Sequence, residues 1–362
     1  MSEDTPAAGS LNENPVLDYP IPRSTLNRHP ATLISAPIHA HPPVAVAPML
    51  EWTDRHFRYF VRQISQHSLL YTEMLTTAAL IHGDRQRLLQ YDPAEKPLAI
   101  QLAGCEPGDL ALCARMVADQ GFDAINLNVG CPSDRVQQAR FGACLMAEPE
   151  RVAECVSAMS QAVPIPVTVK TRIGIDERDT YAHLVDFIAK VAAGGCTTFI
   201  IHARKAWLKG LSPRENREIP PLRYDVAAAI KRDFPHLRII LNGGIIDLDQ
   251  AERELKRFDG VMIGRAAYHN PYLLAEVDSR FHADDHPIPS RHAVVRALLP
   301  YVERQLQGGE RLHSITRHLL GLYHGQPGGR AFRRHLSEKA GQYQGGASLL
   351  LEAARFCGMD AI

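Results

Sequence analysis

The sequence predicts an α/β fold: a (β/α)8 TIM barrel followed by a C-terminal helical bundle. From residue 44 onward, eight short apolar, β-rich runs alternate with amphipathic helical stretches, the alternation that a closed parallel barrel requires. Nearly every run ends in a polar residue, and in a barrel those ends converge on one face, where the chemistry is built. Past about residue 286 the strands stop, and helical segments joined by glycine-rich links begin. A doubly wound open sheet is the competing α/β solution, but its G-x-G-x-x-G fingerprint after the first strand is absent.

Residues 1–43 hold eight of the 25 prolines and almost no apolar periodicity. Such a composition cannot bury enough surface to offset ordering entropy, so 1–43 is expected to be a disordered N-terminal extension. The barrel is expected over 44–286. Its strands are predicted at Val44–Ala47, Leu69–Thr72, Leu98–Leu102, Ala124–Asn128, Val167–Lys170, Thr198–His202, Arg238–Leu241 and Gly260–Ile263. Among its helices are Pro107–Gln120 (closed by Gly121), Glu148–Gln161, Tyr181–Ala193 and Leu248–Phe258. Residues 287–362 read as four helices, at 291–307, 311–323, 328–340 and 346–357.

Composition removes several classes. No apolar run approaches the ~20 residues of a membrane helix, which excludes an integral membrane protein. The N-terminus has neither the basic region nor the apolar core of a signal peptide. Seven scattered cysteines without a C-x-x-C argue against a disulfide framework, a zinc ribbon or an iron–sulfur cluster, and favour a reducing cytoplasm. No His or carboxylate cluster has metal-ligand spacing, so no metal is expected. Forty basic residues balance forty acidic ones, yet 287–362 carries ten Lys and Arg against five Asp and Glu. Nucleic-acid binding would therefore come from a local patch.

The seventh and eighth strands end in Asn242-Gly243-Gly244 and Gly264-Arg265. Barrels commonly bind phosphate with these two loops, because glycine lets backbone N–H groups approach the anion. Lys170 ends an apolar strand and suits either a Schiff base or a fixed positive charge beside the electron-rich edge of a flavin. Gln101 and His202 add neutral donors and acceptors that can read a heterocycle's edge. Cys131 follows Asn128-Val-Gly in a loop fixed by Gly130 and Pro132; an ordinary thiol is protonated at neutral pH, and can donate that proton. Cys144, thirteen residues on, has an apolar flank that favours packing. Two basic stretches suit nucleic acid: 202–217, with Arg204, Lys205, Lys209, Arg214 and Arg217 around Trp207, and the helical face of Arg330, Arg333 and Arg334.

The segments VAPMLEWTD (46–54), LYTEM (70–74), NLNVGCPSDRVQ (126–137) and FGACLM (141–146) resemble the bacterial tRNA-dihydrouridine synthases. VKTRIGID (169–176), IIHARKAWL (200–208) and NREIPPL (216–222) narrow the resemblance to the DusA subfamily. It runs from about residue 44 to the C-terminus. The resemblance implies an FMN enzyme that reduces D-loop uridines of tRNA, those called 20 and 20a, with NADPH as electron source. Carried over by motif, Pro48, Met49 and Leu50 line the flavin, while Gln101, Lys170 and His202 contact its rings. Asn242, Gly243, Gly244, Gly264 and Arg265 hold its phosphate, and Cys131 is the proton donor. Asn128, Arg214, Arg217, Arg330 and Arg333 match tRNA contacts. DNA and membranes are not expected partners. Two rivals stand beside this reading: a small-molecule flavin enzyme resembling dihydroorotate dehydrogenase, and a non-catalytic tRNA-binding protein.

Overall fold

The computed structural model describes residues 43–359, so the extension expected at 1–43 lies outside the described residues except for Pro43. Eight strands form one parallel sheet: β1 (Val44–Val46), β2 (Leu70–Thr76), β3 (Leu98–Ala103), β4 (Ala124–Val129), β5 (Val167–Arg172), β6 (Thr198–His202), β7 (Arg238–Asn242) and β8 (Gly260–Ile263). Each pairs in parallel with its sequence neighbour from β2 to β8, and β8 pairs back with β1. The last seam closes through the Ala45–Leu69 bridge, where Val46 N–H donates to Leu69 O at 2.9 Å and Leu69 N–H to Val44 O at 3.1 Å. The predicted TIM barrel is the fold.

Side chains alternate across each strand. Ala45, Tyr71, Ala99, Ala124, Ile200, Ile240 and Met262 form a separate apolar cluster that fills the barrel interior. Their strand neighbours, such as Val44, Ile100, Ile125 and Phe199, belong to the larger core shared with the helices. The same alternation puts Gln101, Asn128, Lys170 and His202 on the inward face, toward the C-terminal ends of their strands. The polar strand ends therefore share one mouth.

Helices Pro107–Gln120 and Tyr181–Ala193 match the predicted bounds, and Gly121 closes the first at φ 92°. The predicted Leu248–Phe258 helix stops at Leu255, and Phe258 turns into the core while the carboxylate of Asp259 accepts from Ile239 N–H. In the C-terminal region the helices are Arg291–Gln307, Leu312–Thr316, Gly329–Lys339 and Ser348–Arg355. The helix predicted over 311–323 is broken after Thr316 into a short 3-10 turn, Leu319–Gly321. The cause is contact with the barrel. His318, in the break, bonds Asp54 at 2.9 Å, and a Cβ on Gly321 would lie 2.5 Å from His269 O. The described residues, 43–359, form one compact unit. No described helix is long and apolar enough to cross a membrane.

Candidate active site

Gln101 anchors a chain of buried amides at the mouth. Its Nε2 donates to Asn126 Oδ1 at 2.7 Å, and its Oε1 accepts from Asn128 Nδ2 at 2.8 Å. Asn126 in turn donates to Thr168 Oγ1 at 2.9 Å. Burial without partners would be costly for these groups, so the network holds each amide in one orientation.

Lys170 Nζ donates to Asn242 Oδ1 at 2.9 Å, and Asn242 Nδ2 donates to Met262 O at 2.8 Å. The ammonium sits deep in the mouth; burial first, and then the neighbouring Arg172, pull its pKa down to about 7. Burial also pushes His202 well below its ordinary range, and Arg172, Lys170, Arg204 and Arg217 push the same way, so its imidazole is neutral at neutral pH. Gly243 and Gly244 follow Asn242 at φ 105° and 73°. A Cβ on Gly244 would lie 2.4 Å from Leu222 Cδ1, and Tyr224 donates its hydroxyl to Gly243 O. Gly264, at the end of β8, sits beside β1: its Cβ would meet Ala47 Cβ at 3.7 Å and Met49 Sδ at 3.9 Å.

Arg265 reaches across to the loop after β6, pairing with Glu218 at 2.6 Å and donating to Arg217 O at 3.3 Å. Arg204, Arg217 and Lys170 all stand below their ordinary pKa, through burial first and then through neighbouring cations. Such a cluster, with Glu218 as its nearby acid, favours an anion. The cations fit a phosphate-bearing flavin, and a Cβ on Gly264 would meet nothing nearer than 3.7 Å, so the backbone there can be closely approached.

Cys131 is half-buried in the loop after β4, and its Sγ lies 3.6 Å from Ser133 Oγ. Asn128 Oδ1 accepts from the N–H groups of Gly130 and Cys131 at 3.1 and 3.0 Å. Cys144 is different: its thiol bonds Phe141 O at 3.1 Å, and burial pushes its pKa up. Met49 O accepts from Trp52 and Thr53 N–H in the turn after β1, which leaves Leu50 exposed. Trp52 stacks on Tyr268 at 4.2 Å.

Pro48, Met49, Leu50, Gln101, Asn128, Cys131, Lys170, His202, Asn242, Gly243, Gly244, Gly264 and Arg265 thus all lie at strand ends on one face. Arg214 and Arg217 come from the loop after β6, with Arg214 3.8 Å from Glu218. Arg330 and Arg333 are placed elsewhere, exposed on the Gly329–Lys339 helix with no ion pair among the described residues. In the 202–217 stretch, Lys205 is engaged already: it pairs with Asp179 at 2.8 Å and lies 3.8 Å over the Trp207 ring. Sequence reasoning gave no role to Arg172, Asn126 or Tyr224. Arg172 and Asn126 carried a signal, since each sits two residues from an assigned inward residue; Tyr224 carried none.

Comparison with known proteins gives the family. The dihydrouridine synthase (Dus) family model matches residues 45–356. A "tRNA-dihydrouridine(20/20a) synthase" of Shewanella oneidensis is 61% identical over 296 residues, covering 82% of this chain and 88% of the relative. One from Synechocystis is 57% identical over 320 residues, covering 88% and 96%. A solved 2-naphthoyl-CoA reductase complex aligns with a TM-score of 0.50 at 14% identity, over 66% of this chain and 50% of that one, and speaks to the fold alone. With its barrel, its strand-end site and a family match spanning nearly all described residues, the chain belongs to the dihydrouridine synthase family.

Proposed function

We propose that the chain reduces uridine to 5,6-dihydrouridine in the D-loop of tRNA, at positions 20 and 20a, using FMN and NADPH. The observation that carries this is the half-buried Cys131 thiol on the same barrel mouth as the Gly243-Gly244 and Gly264-Arg265 cradle. Asn242, Gly243, Gly244, Gly264 and Arg265 would hold the cofactor's phosphate. Pro48, Met49, Leu50, Gln101, Lys170 and His202 would bound its ring system. When bound, reduced FMN supplies a hydride to uracil C6. The C5–C6 bond is conjugated with the C4 carbonyl, so charge then develops toward C5 and O4. Cys131 donates its proton to C5, which completes the addition of two hydrogens across the bond. Asn128 orients the thiol through the Gly130 and Cys131 N–H groups.

The target base must leave its stack to reach a barrel mouth. Recognition then rests on tRNA shape and phosphates more than on sequence. Arg214 and Arg217 would contact RNA from the barrel side. Residues 287–362, with Arg330 and Arg333, form the RNA-binding region beside a catalytic barrel at 44–286. A reducing cytoplasm would keep Cys131 a thiol. The deciding experiment reduces the bound flavin with NADPH, excludes oxygen, and adds unmodified tRNA. Rapid flavin reoxidation with dihydrouridine at 20 and 20a is expected. Reoxidation by free uracil derivatives but not by tRNA would replace this reading with a small-molecule reductase.

A further inference from the structure

Three consecutive carbonyls around the thiol are each held by another part of the mouth. Gly130 O accepts from Arg172 Nε at 3.1 Å. Cys131 O accepts from Ala143 N–H at 2.9 Å. Pro132 O accepts from Gln137 Nε2 at 2.8 Å. Two of these donors also bind the basic loop after β6. Arg172 Nη1 donates to Asn216 O at 3.0 Å and to Lys205 O at 3.4 Å, and Gln137 Nε2 donates to Leu208 O at 2.7 Å.

The guanidinium of Arg172 is 3% exposed, and no carboxylate lies within ion-pair distance among the described residues. A buried cation that spends its donors on the backbone of two loops holds those loops at a fixed separation, because the planar fork tolerates little change in geometry. Ala143, Ile175 and Ala206 form a small apolar cluster of their own, with Met146, Ala147 and Leu208 packed against it. Asn216, fully buried, fixes the basic loop internally through Trp207 N–H and the carbonyls of Trp207 and Leu211. The thiol loop and the basic loop therefore share struts on either side of Cys131 and a common apolar floor.

We propose that Arg172 and Gln137 are positioning residues that make these two loops one mechanical unit, so that RNA docking on the 204–217 loop sets the place of the Cys131 thiol. This rests on the tRNA reading above. Coupling of this kind needs a shared element that both sites bias, and the two struts supply it. Both residues act through the loops they join, not on the substrate or the cofactor.

The test uses Gln137→Ala, Gln137→Glu and Arg172→Lys in the flavin-loaded full-length protein. Gln137→Glu keeps the size but cannot donate to two carbonyls; Arg172→Lys keeps the charge but loses the fork. Expected is single-turnover uridine reduction at saturating tRNA slowed at least tenfold. Flavin content, NADPH reduction of the flavin and tRNA Kd should each stay within about threefold. Without tRNA, iodoacetamide should alkylate Cys131 at least threefold faster than in wild type, measured on its peptide against Cys144. A purely structural role would instead lower flavin content or melting temperature along with the rate. Reduction and alkylation within twofold of wild type in all three variants would overturn the coupling, as would a loss confined to Kd. If wild-type protein fails to reduce uridine in tRNA, the functional reading falls, while the alkylation arm still decides whether the struts hold the loop.

Discussion

Gly243 and His202 are in such close register that a Cβ on Gly243 would lie 2.5 Å from His202 Cδ2 and 2.9 Å from its Nε2. The glycine also stands at φ 105°, where an L side chain is strained. Gly243→Ala must therefore distort its own backbone, displace the imidazole, or do both, at roughly 1–3 kcal/mol. Flavin content after gel filtration and the melting temperature should both fall. His202→Ala in the same chain should remove part of the conflict, so the double variant should lose less stability than the two single losses added. Strict additivity would show that the two residues do not interact.

Arg265 pairs with Glu218 at 2.6 Å. A cofactor phosphate at this strand end must compete with that carboxylate. Arg265→Ala should lower flavin retention, since removing a charge-assisted hydrogen bond costs about 1.5–3 kcal/mol. Glu218→Gln should shift retention in the opposite direction, by freeing the guanidinium. Equilibrium dialysis of FMN against both variants measures this. A fall in both would mean that Glu218 positions the arginine rather than competing for it.

Cys131 and Cys144 differ in surroundings more than in sequence context. Cys131→Ala should leave FMN binding and NADPH oxidation intact while slowing uridine reduction by ~10²–10⁴-fold, the usual worth of a positioned general acid. Cys144, whose thiol is tied to Phe141 O, should tolerate Ala with no more than a packing loss. Stopped-flow reoxidation of the reduced flavin by tRNA separates the two, and exchanged phenotypes would mean the proton donor is Cys144.

Much of this mouth was legible before the fold was known. Thr198–His202 and Gly260–Ile263 are the predicted strands to the residue, because a buried parallel strand is a short apolar run with sharp ends. Gln101, Lys170, His202 and Asn242 were recognisable as polar residues closing such runs. The break at His318 was not, since its cause is Asp54, far away in sequence and brought near by the docking of the C-terminal helices. Gln137 and Asn216 were equally silent. Their partners are backbone groups of loops, which carry no side-chain signature in a sequence.

Lys170 should make the stability of the flavin-free protein pH-dependent. Its pKa falls from 10.5 to about 7 on folding. Between those values the unfolded chain binds the extra proton, so stability rises with pH across that window. The full cost of the buried cation is present below the folded pKa and vanishes above the unfolded one. Lys170→Met, similar in length and uncharged, should flatten the melting-temperature profile between about pH 7 and 10. His202 adds a second slope on the acid side: its pKa is lowered by burial and nearby cations, so stability is lost as pH falls below its ordinary titration range. An identical slope in wild type and Lys170→Met above pH 7 would place the ammonium outside this linkage.

Arg330 and Arg333 lie one turn apart on the Gly329–Lys339 helix, and Arg334 beside them, all exposed and without an ion pair among the described residues. Phe332 and Leu336 are the buried side of that helix, so the arginines face away from the packed core. Cations left unpaired on a solvated face suit phosphates, and each arginine removed from a phosphate should reduce the log–log salt slope of binding by about one unit or less. Arg330→Ala/Arg333→Ala should weaken tRNA binding and flatten its salt dependence. The flavin spectrum and NADPH oxidation should not change, because neither residue lies at a strand end. Intact tRNA should also outperform an isolated D-arm hairpin, since Arg214 and Arg217 on the barrel loop and Arg330 and Arg333 on this helix require a substrate that reaches both. Equal kcat/KM on the hairpin and on whole tRNA would restrict recognition to the loop after β6.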